Sequence, residues 1–233
     1  MLEVKGLEAG YGRVPILRKI NLVAPKGEVT LVLGPNGAGK STLLRTLAGF
    51  NRPTAGSVAA NGQDITGLAP EKMVDKGLRL VLDGHRVFPR LTVWENIRLG
   101  IRGNEAELET RLKDVYDVFP VLRQKLDHSA SSLSGGQQQM LALAQAFVAR
   151  PDILLVDEPS LGIAEMLIPT ILDFLKRWAS LGTAVLLVEQ RIDIALKYAD
   201  SVNVLRGGEI VLSGGDAAAL SKDGAIERLY LGD

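Results

Sequence analysis

The feature that most constrains this chain is a glycine-rich loop between a strand-like run and a helix-like run. Residues 34–42 have the sequence Gly-Pro-Asn-Gly-Ala-Gly-Lys-Ser-Thr, which matches the pattern G-x-x-x-x-G-K-S/T. The apolar run Val29–Leu33 precedes the loop, and Leu43–Ala48 has apolar residues at helical spacing. A strand, a glycine loop and a helix in this order form a phosphate-binding unit. The pattern predicts an α/β fold that binds a nucleoside triphosphate.

Each residue type in the loop has a physical role in binding a nucleotide. Gly34, Gly37 and Gly39 are expected to turn the backbone with positive φ and to bring N–H groups close to phosphate oxygens. The helix beginning near Lys40 directs free N–H groups and its positive dipole end at the anion. Lys40 supplies a cation for the terminal phosphates, and the Ser41 hydroxyl can ligate Mg²⁺. The predicted nucleotide-binding residues of the loop are Gly34, Pro35, Asn36, Gly37, Ala38, Gly39, Lys40, Ser41 and Thr42.

Composition limits the class of function. A length of 233 residues fits one large domain, or one domain with a subdomain. Lys plus Arg and Asp plus Glu both number 27, and this balance argues against nucleic acid as a partner. The absence of cysteine excludes disulfides, thiolate catalysis and Cys-ligated zinc. The longest apolar runs, such as Ala184–Val188, have only strand length, so we expect membrane association through a partner.

The pattern along the chain predicts the architecture. Strand-like and helix-like segments alternate near both ends, which favours a parallel α/β sheet with ligands beyond the carboxyl ends of its strands. From about Pro70 to Ser131 helical patterns dominate, including a helix with Asn104 as its cap and Pro120 as its stop. We predict a single domain over residues 1–233, with a helical subdomain inserted at about residues 84–134.

An acidic pair follows the continuous apolar run Ile153–Val156, which is typical of a buried parallel strand. At the carboxyl edge of a sheet, Asp157 would hold Mg²⁺ opposite Ser41, and Glu158 would orient or deprotonate the attacking water. The alternative is that two acids merely begin a loop, which we would favour for an isolated pair. The phosphate loop in the same chain favours the functional interpretation.

A second glycine turn leads into a helix-like segment. Residues 133–137 have the sequence Leu-Ser-Gly-Gly-Gln, and two glycines with a hydroxyl at a helix start can form another anion cradle. One nucleotide needs only one such cradle. The alternative is that Ser134 is an N-cap and the glycines a turn, so the residues alone leave both interpretations open.

Together these motifs resemble those of ABC-type ATPases. Residues 133–137 match the family signature, and residues 155–159, Leu-Val-Asp-Glu-Pro, match its acidic strand end. In that family the signature of one subunit closes over the nucleotide held by the phosphate loop of another. The resemblance implies a phosphate-loop NTPase core, with a mostly parallel sheet, an antiparallel β part and a helical subdomain. The implied contacts to nucleotide across a dimer are Leu133, Ser134, Gly135, Gly136 and Gln137.

The resemblance also implies roles for single residues. Tyr11 matches the aromatic residue that stacks on adenine, although an ordinary half-buried tyrosine is the alternative. We expect Tyr11 and Gly12 in a loop bounded by glycines. Asp157 corresponds to the Walker B acid and Glu158 to the catalytic carboxylate. Residues 160–164, Ser-Leu-Gly-Ile-Ala, stand where the family has its D-loop.

Two positions depart from the general family pattern. Asp83 stands where most members have Gln; it can reach a Mg²⁺-bound water, but it only accepts hydrogen bonds and is shorter. Gln190 stands where most have His; it can contact the γ-phosphate or the attacking water, but it cannot become a cation. The implied catalytic residues are Glu158, Gln190 and Lys40, and the implied metal ligands are Ser41, Asp157 and Asp83.

Asp83, together with the run Val188–Gln190, resembles one branch of the family. This branch comprises the ATP-binding subunits of importers for branched-chain and other hydrophobic amino acids, and its near relatives are urea and amide importers. That branch usually has proline where Leu82 stands and arginine where His85 stands. The resemblance implies a cytoplasmic ATP hydrolase, peripheral on the inner face of the cell membrane. It would close on two ATP with a second, homologous or identical ATPase subunit, and would drive two membrane permease subunits served by a solute-binding protein.

Other functions remain open from the residues. An ABC ATPase of DNA repair or translation would carry coiled-coil insertions, zinc modules or two ATPase halves, and this sequence has one half and no cysteine. A nucleotide-dependent regulator with little hydrolysis is motivated by Asp83 and Gln190. A phosphate-loop kinase for small molecules is disfavoured, because Leu133–Gln137 would then have no role.

Overall fold

The structure is a computed structural model that describes residues 1–84, 87–101 and 105–217. His85 and the predicted cap Asn104 lie outside the described residues. The strands are β1 Leu2–Tyr11, β2 Val14–Ala24, β3 Val29–Leu33, β4 Ala55–Ala60, β5 Gln63–Asp64, β6 Leu78–Val81, β7 Ile153–Asp157, β8 Ala184–Glu189, β9 Ser201–Arg206 and β10 Glu209–Asp216. The helices are α1 Lys40–Leu47, α2 Pro70–Asp75, α3 Val93–Leu99, α4 Glu105–Val118, α5 Pro120–Gln124, α6 Gly135–Val148, α7 Ile168–Ser180 and α8 Ile192–Ala195.

A six-stranded sheet with the order β10-β9-β3-β8-β7-β6 forms the centre of the molecule. Its strands pair in parallel except β9 with β10, which are antiparallel. Every residue of β3, β7 and β8 is buried. Successive residues of these strands belong alternately to two apolar clusters. Leu187, for example, belongs to one cluster and its neighbour Leu186 to the other. The continuous apolar runs therefore arise because both faces of the sheet are covered.

A second, four-stranded sheet is antiparallel and has the order β2-β1-β4-β5. The predicted mixed α/β fold, with a mostly parallel sheet and an antiparallel part, is confirmed. Strand β1 extends beyond the stretch Leu2–Leu7, in which apolar and charged residues alternate. Tyr11 is its last residue and pairs with Val14, so the expectation that Tyr11 lies in a loop is wrong. The register shifts between Val4 and Leu7, where Gly6 has φ +56°. Such a bulge interrupts the alternation from which a strand is recognised in sequence.

The helical interpretation of residues from about Pro70 is wrong for Leu78–Val81, which forms β6 and pairs in parallel with β7. This strand is short and lies at the sheet edge, and Arg79 interrupts its apolar run. Helices α3, α4 and α5 follow it, and their buried residues, including Ile97 and Val115, join the same apolar cluster as the sheet. A subdomain boundary at about residues 84–134 stays a prediction.

Four aromatic rings pack where the inserted helices meet the rest of the core. Phe174 of α7 lies 4.7 Å from Phe119, 5.1 Å from Phe147 and 5.7 Å from Trp178, measured between ring centroids. Tilted and edge-on rings at these distances stabilise one another beyond their buried area. Among the residues described, helices long and apolar enough to span a bilayer do not occur.

Candidate nucleotide site

Four neighbouring parallel strands bring the predicted site residues to one edge of the sheet. In the order β3-β8-β7-β6, the strands are followed by the phosphate loop 34–42, by Gln190, by Glu158 and by the segment that contains Asp83. The carboxyl ends of parallel strands share one edge, which is where ligands bind in open α/β sheets. Residues far apart in sequence thus become neighbours here.

The phosphate loop needs glycine for two different reasons. Gly37 and Gly39 have φ of +80° and +108°, in the left-handed region that favours glycine. Gly34 does not have positive φ, so that part of the prediction is wrong. A Cβ at Gly34 would lie 2.3 Å from the carbonyl oxygen of Leu205, so close packing against β9 excludes a side chain there. Gly39 is also the N-cap residue of α1, whose first N–H groups are therefore directed into the loop.

The ammonium group of Lys40 is buried and has three acceptors. It donates to the carbonyl oxygens of Gly34, at 2.8 Å, and Pro35, at 3.1 Å. Its Nζ also lies 3.3 Å from Oε1 of Glu158. An ammonium has three donor hydrogens, so these contacts satisfy it without a ligand. The same three donors are the ones that a phosphate group could take.

Glu158 is held between Lys40 and Gln190 in an unusual backbone conformation. Its φ is +43°, which is uncommon for a residue with a side chain and is typical of functional sites. Its N–H donates to the Val188 carbonyl at 2.9 Å. The Gln190 side-chain amide donates to Oε2 of Glu158 at 2.5 Å. The carboxylate thus connects the phosphate loop with the turn after β8.

Asp157 and Ser41 form the polar pair that the sequence predicts as metal ligands. The Ser41 hydroxyl donates to Oδ1 of Asp157 at 3.4 Å, while Oδ2 is buried and has no hydrogen-bond partner among the described residues. Burial raises the pKa of Asp157 to about 6; the Ser41 hydrogen bond opposes this shift, and the charges of Asp83 and Glu158 add to it. A hydroxyl beside a half-satisfied carboxylate is the oxygen donor set that Mg²⁺ takes in proteins, with waters and phosphates completing its shell.

The second glycine turn forms the start of α6. The Ser134 hydroxyl accepts from the Gln137 N–H, and Oε1 of Gln137 accepts from the Ser134 N–H at 3.2 Å. This capping box bears out the N-cap interpretation as a structural role. A Cβ at Gly136 would lie 2.8 Å from Leu167 Cδ1, so this glycine permits close packing. Among the described residues, hydrogen bonds and ion pairs do not join 133–137 to the phosphate loop.

Comparison with known proteins identifies the family. The ABC transporter family model matches residues 17–161. The high-affinity branched-chain amino acid transport ATP-binding protein BraG of Pseudomonas aeruginosa is 37% identical over 233 residues, which cover 100% of both chains. The probable branched-chain amino acid transport ATP-binding protein LivF of Archaeoglobus fulgidus is 35% identical over 100% of this chain and 99% of its own. The chain belongs to the ABC transporter ATP-binding family.

Solved structures agree with this assignment. An ATP-binding cassette of an ABC transporter in its ADP conformation matches with a TM-score of 0.86 and 27% identity, over 100% of this chain and 99% of that one. A dimeric bacterial ABC transporter cassette matches with a TM-score of 0.80 and 26% identity, over 91% and 97% of the two chains. The predicted resemblance to ABC-type ATPases, a nucleotide-binding family that hydrolyses ATP, is thereby confirmed.

Tyr11 of this ABC ATPase lies at the end of the antiparallel sheet's first strand. It is the last residue of β1 and is 49% exposed, beside the β1–β2 hairpin turn at Gly12. A half-exposed ring at a sheet end offers one face to a flat ligand. Its role in stacking on adenine stays a prediction.

One residue of this ABC ATPase lies among the site residues although its sequence pattern predicted no role for it. Glu189 is the last residue of β8 and is only 2% exposed. Its Oε1 accepts from the Ser160 N–H at 3.0 Å, and its Oε2 accepts from the Gln190 N–H at 3.1 Å. Burial raises the pKa of Glu189, and the hydrogen bonds from Ser160 and Gln190 oppose the shift. Glu189 is an acid at the end of an apolar strand, which is the same sequence feature that predicted a functional role for Asp157.

Proposed function

We propose that this chain is the ATP-hydrolysing subunit of an importer for branched-chain or other hydrophobic amino acids. The observation that carries the chemistry is the Glu158 carboxylate, which receives Lys40 on one oxygen and Gln190 on the other at the edge of the sheet. The solute class is supported by the two relatives, whose names describe branched-chain amino acid transport and which align over the full length of this chain.

Nucleotide binding would exchange partners within the phosphate loop. Lys40 would leave the carbonyls of Gly34 and Pro35, and its donors would turn to the terminal phosphates of ATP. The N-terminal N–H groups of α1 would face the same phosphates. Ser41 and Asp157 would hold Mg²⁺, with Asp83 acting through water. When bound, Mg²⁺ neutralises charge that develops on the phosphates.

Hydrolysis would depend on Glu158 once Lys40 has turned to phosphate. The freed carboxylate would accept a hydrogen bond from water and orient it for in-line attack on the γ-phosphorus. An oxygen–phosphorus bond forms, the bond to the bridging oxygen of ADP breaks, and the water proton passes to the carboxylate or to phosphate. The Gln190 amide would keep Glu158 aligned and would contact the water or the γ-phosphate.

The working form would be a dimer that shares its two sites. Ser134 is exposed at the N-terminus of α6 and is free to face a nucleotide held by another subunit. Leu161 is exposed and Met166 is 82% exposed in the segment after β7, as expected for an interface. We propose as partners a second ABC ATPase subunit, identical or homologous, two permease subunits, and a solute-binding protein reached through the permease. The chain would then lie on the inner face of the cell membrane, with no nucleic-acid partner.

Two measurements test this proposal. Purified protein should release phosphate from ATP only with Mg²⁺, and EDTA should stop the release; equal release with EDTA would contradict the assignment of Ser41 and Asp157. Vesicles that contain the assembled importer should take up leucine, isoleucine or valine when ATP and this subunit are both inside the vesicle. Uptake of urea or spermidine in place of these amino acids would overturn the solute class while leaving the ATPase assignment intact.

A further inference from the structure

The carboxylate of Glu189 lies among the site residues, but within the described part of the chain its hydrogen bonds go to Ser160 and Gln190, not to the phosphate loop or a predicted metal ligand. It ends β8 between β3 and β7, where its register partner on β3 is Leu33. The other five residues of β8 are apolar and buried, and they belong to the core. A buried carboxylate is costly unless hydrogen bonds compensate it, so a role in packing alone does not account for a charge here.

The two oxygens of Glu189 connect two separate turns. Oε1 accepts from the Ser160 N–H, in the turn that follows β7 and Glu158. Oε2 accepts from the Gln190 N–H, in the turn that follows β8. A main-chain N–H group of each turn thus donates to the same buried side chain, the carboxylate of Glu189. A side chain without two acceptor oxygens could not hold both turns.

The connected turns carry two side chains that touch each other. The Gln190 amide donates to Oε2 of Glu158, and the Glu158 N–H donates to the Val188 carbonyl beside it. The direction of the Gln190 side chain depends on its own backbone, which Glu189 holds. The Gln190 amide can reach Oε2 of Glu158 only if the two turns stay at a constant distance. Glu189 maintains this distance because it is hydrogen-bonded to both turns.

We propose that Glu189 is a positioning residue that clasps the Ser160 turn to the Gln190 backbone and thereby aims the Gln190 amide at Glu158. The inference rests on the proposed ATP hydrolysis. Loss of the clasp would leave the phosphate loop intact, because within the described residues Lys40 is held by Gly34, Pro35 and Glu158 and not by Glu189. Nucleotide would then still bind, while the water-orienting pair would lose its alignment.

The test is a double-mutant cycle with Glu189→Gln and Gln190→Ala on the full-length protein. Glutamine has the shape of glutamate but only one acceptor oxygen, so one of the two N–H groups would face an amide donor. We expect kcat for phosphate release to fall about 10-fold or more, because misalignment of about 1 Å can cost 100-fold. The Kd for a fluorescent ATP analogue should stay within about 3-fold, since the loop that binds phosphate is untouched.

The second half of the cycle separates positioning from a merely structural role. In the Gln190→Ala background, Glu189→Gln should lower kcat by less than about 2-fold, because the amide to be aimed is already absent. The same loss in both backgrounds, or wild-type kcat in Glu189→Gln alone, would overturn the proposal. Glu71→Gln removes a charge from an exposed position on α2 and is the matched control, expected to match the wild type.

Folding and the proposed activity are checked in the same series. The thermal midpoint of each variant shows whether lost turnover reflects unfolding, and Glu189→Asp retains both acceptors on a shorter stem. Glu189→Asp should recover part of the kcat lost in Glu189→Gln; no recovery at an equal thermal midpoint would count against the clasp. A wild-type protein without Mg²⁺-dependent turnover would overturn the proposed function itself, whereas an active wild type with additive losses would overturn only the role of Glu189.

Discussion

At the scale of single residues, the site is organised around one carboxylate in a strained conformation. Glu158 has φ +43° and lies within reach of both Lys40 and Gln190. Backbone strain of this kind persists only where the surroundings hold it, here the bond from the Glu158 N–H to Val188 and the adjoining strands. In the proposed mechanism, this carboxylate would accept a hydrogen bond from water once Lys40 has moved to phosphate.

Glu158→Gln should bind Mg-ATP and lose nearly all turnover. An amide keeps the shape of the side chain but is a poor base and donates where the carboxylate accepts, so we expect kcat to fall about 10²–10⁴-fold. Phosphate release and equilibrium binding of a fluorescent ATP analogue measure the two effects separately. Turnover at the wild-type rate would contradict the assignment of Glu158.

Asp157→Asn should stabilise the nucleotide-free protein at neutral pH. The folded pKa of Asp157 is about 6, above the ordinary value of 3.8, so the native state binds more protons than the unfolded state between these values. The free energy of unfolding therefore falls as pH rises through this window, by about 3 kcal/mol for a shift of this size. Because asparagine carries no charge, Asp157→Asn should not show this fall in the free energy of unfolding.

Urea unfolding in EDTA at pH 7.5 and near pH 4 measures this effect of Asp157→Asn. The gain over the wild type should be largest at pH 7.5 and should shrink at the lower pH, where Asp157 is protonated in the folded protein. A gain that does not change with pH would show that burial of the charge is not its cause. Mg²⁺-dependent phosphate release should be lost in the same variant, because the donor set for the metal is broken.

At the scale of elements, the N-terminus of α6 combines a structural and a proposed functional role. The capping box of Ser134 and Gln137 satisfies N–H groups at the helix start, which explains why serine suits this position without any ligand. Ser134 is nonetheless exposed at the positive end of the helix. The two interpretations that the sequence left open are therefore compatible.

Ser134→Asp should separate the two roles of this helix start. Aspartate caps a helix as well as serine, so the free energy of unfolding should stay within about 0.5 kcal/mol of the wild type. A carboxylate facing the phosphate of a second subunit would repel it, and turnover should fall at least about 10-fold. Ser57→Asp adds the same charge at an exposed position of β4 and should leave turnover unchanged. Full activity in Ser134→Asp would argue against a nucleotide contact across a dimer.

At the scale of the molecule, the inserted helices and the sheet share one apolar cluster. Phe119, after α4, and Phe147 of α6 both pack on Phe174 of α7, and α7 in turn lies against the sheet. A core shared between elements makes unfolding of one part costly for the other. The molecule is thus expected to unfold as one unit.

Phe174→Ala should destabilise the protein by about 3–5 kcal/mol and keep a single transition, because it opens a cavity among rings from several elements. Chemical unfolding followed by tryptophan fluorescence and by circular dichroism should give coincident curves with a lower midpoint. Phe50→Ala is the matched control: Phe50 is 62% exposed, so its loss should change the free energy of unfolding by less than about 0.5 kcal/mol. Two separate transitions would mark the helical insertion as an independent unit.

The sequence by itself determined the phosphate loop, the buried strands and the family. These are local features: the glycine pattern of residues 34–42 and the apolar run Ile153–Val156 each follow from neighbours along the chain. Strand β6 was not predicted because an edge strand of four residues with Arg79 inside it has no periodicity to detect. Tyr11 was expected in a loop because a bulge breaks the alternation of β1.

The tertiary structure decided which residues meet. The strand order β3-β8-β7-β6 differs from their order along the chain, and only that order places Gln190 beside Glu158 and Glu158 beside Lys40. The role of Glu189 could not be read from sequence, because its two hydrogen-bond partners belong to turns that only the pairing of β7 with β8 brings together. Local pattern identifies the groups that can bind a nucleotide, whereas the crossover connections of a parallel sheet determine their distances.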